Sequence, residues 1–110
     1  MKAMDAVEQL AALGHATRLA VFRLLVRAGS GGLTAGLVAE RLQLAPATLS
    51  FHLAALSRAG LLRSRQDGRF IHYAVDFAVM DDLLAYLAED CCQGNACLPK
   101  TATVRAKARC

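Results

Sequence analysis

Hydrophobic residues recur along most of this chain at the three- and four-residue spacing of helices, and in one stretch they suggest strands instead. The clearest helical run is Ala45 to Leu62, APATLSFHLAALSRAGLL. Pro46 suits a first helical turn, and Leu49, Leu53, Leu56 and Ala59 then fall on one apolar face. Gly60 marks the stop. Thr48, Ser50, Phe51 and His52 lie mostly off that face, near the N-terminal end. A short helix with an apolar back and a small, uncharged front can lie in a DNA major groove, where its first residues reach base edges. An ordinary core helix with a solvated front has the same pattern, so the neighbouring segments decide.

Residues 5–13, DAVEQLAAL, predict a helix with Asp5 as N-cap and Glu8 three residues later. Val7, Leu10 and Ala11 or Leu13 form its apolar face, and Gly14 and His15 break it. A second helix is expected from about Ala16 to Ala28, with Leu19, Phe22, Leu25 and Val26 inward and Arg18, Arg23 and Arg27 outward. The GSGG of residues 29–32 is a turn. Thr34 can cap a third helix ending near Leu42, with Leu37, Val38 and Leu42 inside. Gln43 to Ala45 then lead tightly into the helix at Pro46, which completes a helix-turn-helix pattern.

Next comes LLRSRQDGRFIHYAV, read as strands Leu62–Arg65 and Phe70–Val75 around a tip of Gln66, Asp67, Gly68 and Arg69. Arginines flank the tip, and a basic hairpin directly after a recognition helix is a DNA-binding wing. A last helix, capped by Asp76, is expected from about Phe77 to Asp90. Phe77, Met80, Leu84 and Leu87 share one face, and Val79, Leu83 and Tyr86 widen it. So wide a stripe exceeds what one small domain needs to cover, and with the first helix it predicts a homodimer interface. Ordinary core packing fits as well and does not exclude it. The predicted fold is mainly α with a small β-hairpin: a winged helix-turn-helix in the order α-α-α-α-β-β-α. Residues 1–98 form the domain, and residues 99–110, basic and aperiodic, are expected to be a disordered tail.

A chain of 110 residues is enough for one domain. No apolar run is long enough to span a membrane, and the N-terminus lacks a signal segment, so a cytoplasmic protein is expected. The four cysteines then read as metal ligands or redox thiols. The net charge is +4, and residues 91–110 supply all of it with Lys100, Arg105, Lys107 and Arg109. In the remainder the signs separate. Arg58, Arg63, Arg65 and Arg69 cluster with only Asp67 among them, whereas Asp76, Asp81, Asp82, Glu89 and Asp90 come later. Such a surface suits a protein that presents one face to a polyanion, although a dipolar surface without a partner has the same signature.

Three segments together, LGHATRLAVFRLL, LAPATLSFHLAALSRAGLL and RSRQDGRFIHYAV, resemble the ArsR/SmtB family of winged-helix, metal-responsive repressors over roughly residues 5–90. The resemblance implies a homodimer on double-stranded operator DNA that lets go when a metal ion or metalloid binds. Thr48, Ser50, Phe51 and His52 are the candidate base-reading residues, and Arg65 and Arg69 the candidate wing contacts. The chain departs from two patterns of the family. The helix TAGLVAERL lacks the Cys-Val-Cys motif of many arsenic-responsive members. The last helix lacks the histidine of the zinc and cobalt sensors, since the only histidines are His15, His52 and His72. What remains is CCQGNAC, with Cys91, Cys92 and Cys97, which looks like the C-terminal cysteine cluster of some arsenite or organoarsenical sensors.

Three thiolates without imidazole or clustered carboxylate make a soft site. Zinc usually takes four ligands, and Cys110 would have to be the fourth. Trivalent arsenic or antimony, with a lone pair of its own, is satisfied by three sulfurs and is the expected inducer. Adjacent cysteines cannot share one helix face, so the helix should end near Cys91, and Gly94 lets Cys97 return to the pair. Another soft metal or a thiol redox switch remains open. A small thiol-dependent arsenic redox enzyme is the contrasting class. It would need an anion-binding loop beside its cysteine, and none is visible. No catalytic residue or catalytic cofactor is therefore assigned.

Overall fold

Five helices and a three-stranded sheet make up residues 1–90, the part of the chain that the computed structural model describes. The order is α1 (Ala3–Leu13), α2 (Ala16–Ala28), β1 (Leu33–Thr34), α3 (Ala35–Leu42), α4 (Pro46–Arg58), β2 (Leu62–Asp67), β3 (Phe70–Val75) and α5 (Phe77–Leu87). This is the predicted winged helix-turn-helix with one added element, β1. Cys91, Cys92, Cys97 and the tail from residue 99 lie outside the described residues.

The helix-turn-helix is closed by local backbone chemistry. At the end of α3 the Leu44 N–H donates to Ala39 C=O at 2.9 Å and the Gln43 N–H to Glu40 C=O at 3.3 Å. That pair of bonds is a Schellman motif, and Gln43 takes its left-handed position at φ 55°. The chain reverses there within three residues, so α4 can start at Pro46. The same motif ends α4: Leu61 N–H donates to Leu56 C=O and Gly60 N–H to Ser57 C=O, with Gly60 at φ 83°. Glycine reaches this region without the steric cost other residues meet. Leu61, just past it, is fully buried.

Both helices lay their leucines against α2. Val21, Leu25, Val38, Leu49, Leu53 and Leu56 form the centre of the core, with Leu62 and Val75 of the sheet beneath. In α2, Val21 occupies the inner stripe and Leu19 is exposed, the reverse of the expected placement of Leu19. Residues 18, 21, 22 and 25 are the set that shares one helical face, and Leu19 lies off it.

The missed strand β1 pairs antiparallel with β3, Leu33 opposite Tyr73 and Thr34 opposite His72. The approach is so close that a Cβ on Gly32 would fall 2.1 Å from the Tyr73 carbonyl oxygen, so only glycine fits there. Thr34 both ends β1 and caps α3, its Oγ1 accepting from Leu37 N–H at 3.2 Å. The sheet order is β1-β3-β2. β2 and β3 pair out to Asp67 opposite Phe70, so the hairpin turn is only Gly68 and Arg69, tighter than the expected four-residue tip.

Two helix ends also differ from expectation. α1 starts at Ala3, with Asp5 inside its first turn and no side chain capping it, so the Asp5–Glu8 capping box does not form. Asp5 instead places a negative charge near the positive end of the helix. α5 ends at Leu87, three residues before Asp90, while its start is as expected: Asp76 Oδ1 accepts from Val79 N–H at 3.3 Å.

Candidate nucleic-acid interface

The recognition surface begins with how α4 is held. Leu49, Leu53 and Leu56 are at most 1% exposed, which fixes the helix rotation about its axis. Thr48, Ser50 and Phe51 therefore point outward, and Phe51 is 62% exposed. Ala47, Phe51, Ala54 and Arg58, spaced by four, three and four, form the ridge opposite the core, and all four are exposed. Two alanines on that ridge leave the backbone room to approach a partner closely. Arg58 was not among the predicted site residues, and its spacing from Phe51 could have identified it.

His52 does not join this front. It is 7% exposed, against the expectation that it lies on the polar face. Position 52 is three residues after Leu49 and four before Leu56, so it belongs to the buried stripe despite its polarity. Its Nδ1 accepts a hydrogen bond from Arg18 Nε at 3.2 Å. Its ring lies 4.8 Å from that of His15 and meets the Phe51 ring edge-on at 5.7 Å. Burial, then the nearby His15, then the Arg18 charge push its pKa below the ordinary 6.5, which favours the neutral imidazole that can accept from Arg18. Arg18 is correspondingly half-buried rather than outward, with its guanidinium carbon 5.7 Å from the Phe51 ring centre. His15 itself caps α2, Nδ1 accepting from Thr17 N–H at 3.1 Å.

On the wing, side chains alternate across the sheet. Leu62 and Val75 face the core, whereas Arg63 and Arg65 share the other face with His72, which pairs directly opposite Arg65. Arg69 sits in the turn beside Gly68, whose φ of 62° is the only positive one there, as in a II′ turn. Arg63, Arg65 and Arg69 are all exposed. His72 Nε2 lies 3.9 Å from Asp67 Oδ2, at the limit of an ion pair. Exposed Phe70 and Ile71 add an apolar tip that sequence reasoning had assigned only to a strand.

The geometry brings five of the six predicted DNA-facing residues to the surface and turns His52 inward. Hydroxyls of Thr48 and Ser50 can meet base edges, and the exposed arginines can meet phosphates. Among the described residues no three His, Cys, Asp or Glu side chains gather as a metal site, and no helix is long and apolar enough to cross a membrane.

A helix-turn-helix domain model matches residues 13–65. The solved structure of HlyU from Vibrio cholerae N16961 is 30% identical, covers 79% of this chain and 97% of its own, and superposes with a TM-score of 0.63. A solved ArsR family transcriptional regulator, RHA00566, is 26% identical, covers 82% of this chain and 90% of its own, and has a TM-score of 0.69. The transcriptional repressor SdpR of Bacillus subtilis is 29% identical over 76 residues, which is 69% of this chain and 81% of SdpR. The order of elements, the closed helix-turn-helix and these likenesses agree: the chain belongs to the ArsR/SmtB family of winged helix-turn-helix transcriptional regulators.

Proposed function

We propose that the chain is a repressor that binds operator DNA as a homodimer and is released when trivalent arsenic or antimony binds Cys91, Cys92 and Cys97. One observation carries the DNA half. A hydroxyl-bearing helix front, uncharged from Pro46 to Ala54, stands on a fully buried back, beside a hairpin whose outer face is arginine-rich. Thr48, Ser50 and Phe51 read bases in this assignment, and Arg65 and Arg69 hold the backbone. His52 supports the front from inside. Two copies meet through α1 and α5, where Val7, Leu10, Leu84 and Leu87 are exposed apolar residues of one chain.

The inducer half rests on donor chemistry. Three sulfurs within seven residues, the first of them four residues after α5 ends at Leu87, match a thiophile that takes three ligands. The recognition helices of a dimer must sit about 34–36 Å apart to enter successive major grooves. Gathering the cysteines beyond the end of α5 would disturb that spacing and loosen both contacts together. A coupling of about 1–3 kcal/mol is enough to empty an operator near its working concentration.

Arsenite titration of the protein on a duplex selected from a random pool tests the reading. The parent should dissociate, whereas Cys91→Ser, Cys92→Ser and Cys97→Ser should bind DNA normally and stay bound. Cys110→Ser should behave like the parent. Release of a Cys97→Ser protein at the parental arsenite concentration would remove that residue from the site. Release by oxidant alone, with no response to arsenite, would favour a thiol redox switch.

A further inference from the structure

We propose that Arg18 is a further DNA contact, reaching the phosphate backbone beside the recognition helix, and that His52 is the positioning residue that aims it. The inference rests on the DNA-binding reading above. Arg18 is the third residue of α2, whose first turn holds no acid. A cation there opposes the positive end of its own helix, an arrangement that favours an anion arriving from outside. Among the described residues Arg18 has no ion pair, although Glu8 lines the groove that it shares with Arg58.

What holds Arg18 in place is neutral and aromatic. Nε–H donates to His52 Nδ1, and the guanidinium lies toward the exposed Phe51 ring. This bond uses one of the five N–H groups of the guanidinium and fixes its plane, leaving the terminal nitrogens to donate elsewhere. Phe51 is at the centre of the α4 front, so the charge sits at the edge of the surface that would enter a major groove. Phosphates border a major groove on both sides, and a pre-oriented guanidinium suits them. A lysine would keep the charge and lose the Nε–H anchor.

The groups facing His52 are Arg18 of α2 and His15, the cap of that helix, with Glu8 of α1 and Arg58 of α4 around the adjoining groove. Protonation of His52 would turn its acceptor into a donor and set a second cation against Arg18. Protonating a histidine at a DNA interface ordinarily strengthens binding to a polyanion. Here the sign is reversed, which separates a positioning role from a direct contact.

The test uses the full chain and a duplex selected by it from a random pool, with binding followed by fluorescence anisotropy. Arg18→Met keeps the aliphatic stem and removes the charge. It should weaken binding about tenfold and reduce the log–log salt slope by about 1.8, which is about 0.9 for each of the two copies in the bound dimer. Loss of fold lowers the active fraction and leaves that slope unchanged, and Arg18→Gln repeats the measurement with a polar stem. His52→Asn offers an amide oxygen close to the place of Nδ1 and does not titrate. Between about pH 7.5 and pH 5.5 the parent should lose several-fold more affinity than His52→Asn. A parental salt slope in both Arg18 variants overturns the contact, and equal pH profiles overturn the positioning role. A parent that selects no duplex overturns the DNA-binding reading and the inference together.

Discussion

The α2–α4 unit and the α1/α5 pair are both helical and both rich in leucine and alanine, yet they close very differently. In the first, Val21, Leu25, Val38, Leu49, Leu53 and Leu56 are all at most 1% exposed, and Schellman motifs end both α3 and α4. In the second, α5 buries only Leu83 and leaves Leu87 55% exposed. α1 buries Ala6, Ala12 and Gln9, whose Oε1 has no hydrogen-bond partner, and leaves Val7 55% exposed. The difference separates two jobs. The α2–α4 unit is complete within one chain, so under the proposed function its rigid back aims Thr48, Ser50 and Phe51. The outer helices leave Val7, Leu10, Leu84 and Leu87 exposed, and under the proposed function a second copy of the same surface covers them.

Truncation should expose this contrast most strongly. Leu56→Ala removes a fully buried side chain from the closed unit and should cost about 2–5 kcal/mol, a large part of the stability of a domain this size. Leu87→Ala should cost well under about 1 kcal/mol, since its side chain is already half in water. Chemical denaturation of dilute protein reads both. A charge on the open face acts elsewhere: Val7→Asp with Leu87→Asp should leave the secondary structure intact and convert the proposed dimer to monomer in sedimentation velocity. A double variant that unfolds as badly as Leu56→Ala would mean that α1 and α5 belong to the closed core after all.

Substitutions on the front of the closed unit should separate binding from folding. Ser50→Ala and Thr48→Ala remove exposed hydroxyls and should weaken specific DNA binding by about 1–3 kcal/mol with an unchanged melting temperature. An unchanged affinity in the folded double variant would end their assignment to base reading.

The smallest effect is a pH dependence of the closed unit alone. Folding holds the His52 pKa below 6.5, chiefly by burial, so above that value the imidazole is neutral in both states and contributes its full share. As pH falls through 6.5 the unfolded chain takes up the proton first, and stability declines until the folded pKa is passed. Thermal unfolding between about pH 7 and pH 5 should show this decline in the parent and a shallower one in His52→Asn. An identical decline in both would assign it to other groups.

The closed unit was also the more legible of the two in the sequence. Leucine spacing located α4 and its inward residues, Pro46 and Gly60 its ends, and Asp67-Gly68 the hairpin. These signals are local, and the structure obeys them. β1 was not legible, because two residues have no period and Leu33 and Thr34 become a strand only by pairing with Tyr73 and His72. His52 and Arg18 were misplaced for the opposite reason. Their positions are on the buried stripes of α4 and α2, but their polarity points outward, and only the bond between them reconciles the two. In α1 the expected Val7 and Leu10 face is a genuine apolar face, yet the chain itself packs the neighbouring Ala6, Gln9 and Ala12 instead. Periodicity finds a face and cannot say which molecule covers it.

Under the proposed function, two closed reading heads, joined through the open helices, bind one duplex. Selection from a random duplex pool by the full chain measures this. An inverted repeat should be enriched, with half-site centres about one helical turn, 10–10.5 base pairs, or a multiple of it apart. The Val7→Asp, Leu87→Asp variant should lose that tight binding. Enrichment of nothing, or of a single half-site bound equally well by that variant, would contradict it.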